Sequence, residues 1–136
     1  MKKPKTTHEV ILEVDTVGLQ AGYDPGKTDL NDFCQFIGQN PNDNIELFTT
    51  YVGPGDTITW SGKSTSSDVH TVDIVGITRQ TGKDLIDVPS AVGLGKMNSK
   101  VKKKYKKNDW EKYNLFFKIS GTGVKYEIDP IINIYR

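Results

Sequence analysis

From Val10 to Tyr135 the apolar residues recur at every second position in short runs, and no stretch carries them at the i, i+3, i+4, i+7 spacing of an amphipathic helix. Val10, Leu12 and Val14 alternate with polar neighbours, which predicts a first strand near 8–15. Tyr113–Ile119 is the strongest apolar strand, with Leu115, Phe117 and Ile119 facing one way and Phe116 the other. Further strands are expected at 33–37, 45–51 (Ile45, Leu47 and Thr49 on one face), 57–60, 69–77, 100–107, 124–129 and 131–135. Gly and Pro punctuate them. Pro54-Gly55 is a tight turn, Gly121-Thr122-Gly123 is a hairpin turn, and Pro130, which has no amide proton, marks a break or an edge. Seven to nine short strands without a helix predict an all-β fold, a single antiparallel β-sandwich of Greek-key type spanning 1–136 as one domain.

Composition sets limits on this reading. A chain of 136 residues, 35% hydrophobic and 26% charged, is long enough to bury a core without metal or disulfide staples. No apolar run approaches the roughly 20 residues needed to cross a bilayer. The apolar stretch near the N-terminus, Val10–Leu12, is too short for a secretory leader. With one cysteine, Cys34, no internal disulfide can form, which suits a reducing compartment. The expectation is therefore a cytoplasmic protein, the alternative being an exported one whose leader has been removed.

Charge is unevenly spread. Residues 1–95 carry 7 Lys/Arg against 13 Asp/Glu, whereas residues 96–136 carry 11 against 4. Eight of the 16 lysines fall between Lys96 and Lys112, among them Lys100, Lys102, Lys103, Lys104, Lys106 and Lys107, interleaved with Tyr105 and Trp110. The plain account is a strand edge where lysines discourage pairing with another sheet. The functional account is electrostatic docking onto the acidic face of another copy, giving a homo-oligomer. No arginine lies in the run, so specific nucleic-acid recognition is not expected.

Sites of chemistry are sparse. The segment VGPGDTITW is followed by His70, but copper of the blue type needs a second His and a Cys, and the C-terminal third holds neither. His70 is thus a remote metal candidate and more often a surface histidine at a strand start. Cys34 would need His8 or His70 as a base to act as a nucleophile, and buried structural cysteines are commoner. Asp24, Asp29 and Asp32 carry oxygen donors without a calcium-loop spacing and fit turn formation better. Trp110, Tyr105 and Tyr23 are candidate ligand-binding aromatics, for which a glycan is the natural class.

Gly55-Asp56-Thr57-Ile58-Thr59-Trp60-Ser61-Gly62, the Ser/Thr-rich loop after it, Val72-Asp73-Ile74 and the closing Tyr126-Glu127-Ile128-Asp129-Pro130-Ile131-Ile132 together resemble small, uncharacterised cupredoxin-like proteins of Bacteroidetes-type bacteria. More distantly they are similar to the bacterial inclusion-body protein family, whose members also close on an aromatic residue and Asp-Pro. The resemblance covers most of the chain from Ile45 onward. It implies a sandwich without metal or other cofactor, no catalytic residues, and a self-associating, non-enzymatic protein. The alternative is a carbohydrate- or other ligand-binding module, with copper or calcium binding behind it.

Overall fold

A computed structural model describes residues 6–39 and 43–135. Its strands are β1 (Thr7–Val14), β2 (Cys34–Phe36), β3 (Thr49–Val52), β4 (Thr57–Ser64), β5 (Val72–Gly82), β6 (Ser90–Ala91), β7 (Met97–Lys100), β8 (Trp110–Ile119), β9 (Lys125–Ile128) and β10 (Ile131–Ile134). They form two sheets, one in the order β2-β1-β4-β7-β6 and one in the order β3-β10-β8-β5 with β9 also on β8. The all-β expectation holds. The described strands number ten rather than seven to nine: β6 and β7 lie where no strand was expected, and the one expected at 100–107 does not form.

Inward alternation dictates which residues the sheets bury. Along β8, Tyr113, Leu115, Phe117 and Ile119 are buried and their neighbours are not. Ile58 and Trp60 do the same from β4, Val72 and Ile74 from β5. The two sheets meet through these faces in one hydrophobic cluster. Trp60 of the first sheet and Tyr113 of the second stand edge to face, ring centres 5.8 Å apart, and the indole Nε1–H donates to the Tyr113 hydroxyl at 3.0 Å. At Gly62 the sheets approach so closely that a Cβ would lie 2.5 Å from Val72 Cγ1, so only glycine fits there.

Pro130 behaves as its chemistry requires. β9 pairs with Leu115–Lys118 and β10 with Trp110–Lys112 on the same flank of β8. One long strand is thus interrupted where proline cannot donate, while its carbonyl still accepts from Tyr113 N–H at 3.1 Å. The Pro54-Gly55 turn is also as expected. Gly55 has φ +84°, and the fully buried Asp56 carboxylate accepts from Gly53 N–H (2.8 Å), Thr6 N–H (3.1 Å) and His8 Nε2 (2.8 Å), fastening β1 to the turn before β4.

Four expectations are corrected. The sheets are mixed rather than antiparallel: β1 runs parallel to β4 over eight residues, and β3 parallel to β10. Parallel neighbours need a long crossover, and these pairs join strands far apart in sequence, where turn signals carry no information. A short helix, α1 (Thr16–Gly22), occupies part of the expected loop; Asp15 caps it by accepting from Gly18 N–H at 2.9 Å, and seven residues are too few to show a periodicity. Ile45–Leu47 is a 3-10 turn, not strand, because Asn44 and Asn31 side chains accept its amides, and this leaves Leu47 exposed. The lysine run is a loop. β7 ends at Lys100, and Lys102–Lys107 lead to β8 through a turn in which Asp109 accepts from Lys106 N–H and Asn108 has φ +75°.

Replacing Tyr113 with Phe removes the hydroxyl that accepts from the Trp60 indole while keeping the ring. An unfilled buried donor costs about 1–3 kcal/mol. Urea denaturation is expected to show a loss in that range with an unchanged m-value.

Candidate functional site

The aromatic residues singled out from the sequence do not converge. Tyr23, just after α1, is half-buried and packs edge-on against Tyr126 at 4.7 Å, which in turn stacks on Phe117. Tyr105 is half-buried against the core with the Lys104 ammonium 5.1 Å from its ring centre. Trp110 is 44% exposed at the start of β8, its ring lying against Gly82. Tyr105 and Trp110 thus belong to the lysine loop and its exit, and Tyr23 to a separate contact.

The lysine loop has an uneven charge balance. Lys102 pairs with Asp84 at 2.9 Å, which holds its pKa above the usual lysine value. Among the described residues no carboxylate pairs with Lys100, Lys103, Lys104, Lys106 or Lys107, all exposed. Lys100 and Lys102–Lys104 line a groove of about 580 Å³ with Gly55 and Asp87. Carboxylates gather elsewhere: Asp29 and Asp43 line one cavity, and Glu13 and Asp32 another, with Cys34 and Gln35 of the edge strand β2 lining both.

The other sequence candidates have structural duties. Burial pushes the Cys34 thiol up to about 12, the opposite of what a nucleophile needs. Neither histidine is bonded to it: His8 is held by Asp56 and His70 by Thr16. Asp29 caps a 3-10 turn by accepting from Asn31, which lowers its pKa, and Asp24 accepts the turn amides of Lys27 and Thr28 through its carbonyl. Among the described residues no group of three or more His, Cys, Asp or Glu side chains is placed to hold a metal ion.

Two constellations escaped the sequence reading. The first is Glu111, 1% exposed beneath a cavity of about 360 Å³ that Ile77, Arg79, Asp84, Ile86 and Lys102 help to line. Its Oε1 accepts from Leu85 N–H at 2.7 Å. Burial raises its pKa from 4.5 to about 7 against the opposing effect of that bond. A signal was available, since Glu111 shares the inward register of Tyr113 and Leu115.

The second constellation joins α1 to the serine-rich segment after β4. Ser64 Oγ accepts from Ser66 N–H (3.2 Å) and Ser67 N–H (3.1 Å), which uses both of its lone pairs. Ser64 Oγ lies 2.7 Å from Thr16 Oγ1, and Thr16 Oγ1 lies 2.7 Å from His70 Nδ1; the two amides on Ser64 favour a chain running from Ser64 to Thr16 to His70. The chain of hydroxyls is fully buried at Thr16. Run in that direction, the chain makes His70 Nδ1 the acceptor and leaves Nε2 to carry the ring proton. Ser66 bonds the Asp15 cap and accepts from Val17 N–H, so an apparently plain polar loop is fastened at three points. No signal short of the hydrogen-bond geometry would have revealed it.

For Glu111 the sign is set by its raised pKa. The folded state holds this proton at pH values where the unfolded chain has released it, so Glu111 favours folding below pH 4.5 and that contribution disappears as the pH rises through 7. Glu111→Gln keeps an acceptor for Leu85 N–H and removes the charge. At pH 8 the variant should be more stable than the parent by about 1–3 kcal/mol, and near pH 5 the gap should close. Urea melts at the two pH values check this.

No protein-family model matches the chain, and no curated protein matches it in sequence. Among solved structures it is similar to the inclusion body protein PixA of Burkholderia cenocepacia, with a TM-score of 0.67 over 98% of both chains and 12% identity. At that identity the likeness is one of fold.

Proposed function

We propose that this chain is a non-catalytic, self-associating protein, a single two-sheet sandwich whose copies dock head to tail through the lysine loop. The observation that carries the reading is the set of exposed lysines without carboxylate partners within the described chain. Their complement is the flank around β2, where Asp29, Asp32 and Asp43 line adjacent cavities, with Glu13, paired to Lys63, beside them. β2 and β7 lie three strands apart in the first sheet, about 14 Å at the usual strand spacing. Loop and flank thus favour meeting between copies, and such a contact, using two different surfaces, propagates rather than closes. The fold of the Burkholderia inclusion body protein supports the same reading. So does the absence of an activated nucleophile at Cys34. A cytoplasmic setting accords with that buried thiol.

Light scattering tests it. The parent should grow in mass with concentration in about 20 mM salt and return to monomer near 0.5 M, where the Debye length falls below about 5 Å. Changing Lys103, Lys104, Lys106 and Lys107 to Gln, or Asp29, Asp32 and Asp43 to Asn, should each yield monomers at low salt. Mixing the two variants should give dimers and nothing longer, since each retains one competent surface. A parent that stays monomeric at millimolar concentration and low salt would refute the reading.

A further inference from the structure

We infer that the cavity beside His70 binds a neutral polyhydroxylated ligand of about monosaccharide size, with His70 and Ser67 as hydrogen-bond donors and Asp68 and Asp73 as acceptors. The inference stands apart from self-association, because it concerns different residues. The cavity, about 420 Å³, lies between the end of β4, the 67–73 segment and the Leu94–Lys96 turn.

Hydrogen-bond counting makes two of its lining groups donors. His70 Nδ1 is engaged with Thr16, so the group it has left is Nε2, which has no hydrogen-bond partner among the described residues. Ser67 Oγ accepts from Val69 N–H and His70 N–H, each at 3.2 Å, and with both lone pairs engaged its hydroxyl can only donate. Beside these donors stand two carboxylates. Asp73 accepts from the Thr71 hydroxyl at 3.4 Å, and Asp68 also lines the cavity. Of the two lysines at the rim, Lys63 is paired with Glu13 at 3.5 Å and Lys96 is exposed.

This pattern discriminates among ligand classes. An oxyanion would suit His70, Ser67 and Lys96 but would meet two carboxylates. A cationic amine would suit the carboxylates but would find two groups that cannot accept from it and two lysines. A hydroxyl both donates and accepts, so adjacent ring hydroxyls satisfy fixed donors and carboxylates together. Leu94, 99% exposed at the rim, offers an apolar surface for the C–H face of such a ring. The site is open and without an aromatic platform, so binding should be weak.

A titration followed by amide NMR in 0.5 M salt, with a panel of neutral hexoses and pentoses, tests the proposal. At least one sugar should give saturable shifts confined to Ser67–Asp73 and Leu94–Lys96, with an affinity in the millimolar range and no dependence on salt. His70→Ala and Ser67→Ala should each weaken it by about 3- to 10-fold, the worth of one hydrogen bond. Imidazole nitrogen shifts of the parent should report the Nε2–H form of His70. That measurement needs no variant and stands even if a substitution disturbs the loop. The proposal is overturned if no sugar shifts these amides. It also fails if inorganic phosphate or a short alkylamine shifts them better than every sugar, or if neutral His70 carries its proton on Nδ1.

Discussion

The hydrogen bond from Trp60 to Tyr113 is the constraint around which the two sheets are arranged. Each side chain is fully buried, and each carries one polar group that would be costly to leave unpaired in an apolar core. Burial raises the Tyr113 pKa well above the usual phenol value, so the hydroxyl stays neutral and available to accept. Because Trp60 belongs to β4 and Tyr113 to β8, satisfying the pair sets the relative position of the sheets as well as their separation. A slip of one residue in either strand would turn one of these groups out of the core and strand the other.

Strand pairings around that bridge follow from what each turn can and cannot do. Proline at 130 divides the strand that flanks β8 yet leaves a carbonyl for Tyr113, so the bridging residue keeps its backbone bond at the break. At the opposite end, the Asp56 carboxylate gathers donors from Thr6, His8 and Gly53, while its own carbonyl accepts from Val101 N–H. One buried residue thereby fastens the start of β1 and the turn into β4 through its side chain, and the segment after β7 through its carbonyl. A carboxylate in this position is tolerated because it is surrounded by donors.

How much of this was legible depended on whether the deciding interaction was local. Alternation placed Val10, Leu12, Ile58, Trp60, Val72, Ile74, Leu115, Phe117 and Ile119 in the core correctly, since period-2 patterning is a local property of a strand with one buried face. The parallel pairing of β1 with β4 was not legible, because it joins elements separated by a helix and two further strands. Ile45–Leu47 misled for a different reason. Its residues favour strand, and two asparagine side chains overrule them by taking up the backbone amides. The lysine run was found as a charge feature but assigned to the wrong element, because Lys-Tyr-Lys alternation is indifferent to structure when both faces are solvated. His70, expected as a surface histidine at a strand start, is anchored by a buried threonine.

The two constellations that sequence reading passed over share a physical cause. Glu111 owes its raised pKa to a fold that buries a carboxyl under the 84–89 segment, and His70 owes its anchoring to two hydroxyls, Thr16 and Ser64, from different parts of the chain. Neither property belongs to any residue by type. The serine-rich segment illustrates this most directly. Ser64 and Ser67 read as solvated loop residues, yet each has both lone pairs filled by the amides of the same short turn. A hydroxyl so used can only donate, and that direction passes from Ser64 through Thr16 to the imidazole. The ordering entropy of this polar loop is offset in part by hydrogen bonds from its own backbone amides to the serine hydroxyls. The same bonds that hold the loop together also orient its hydroxyls, so the loop's order and the direction of its donors have one origin.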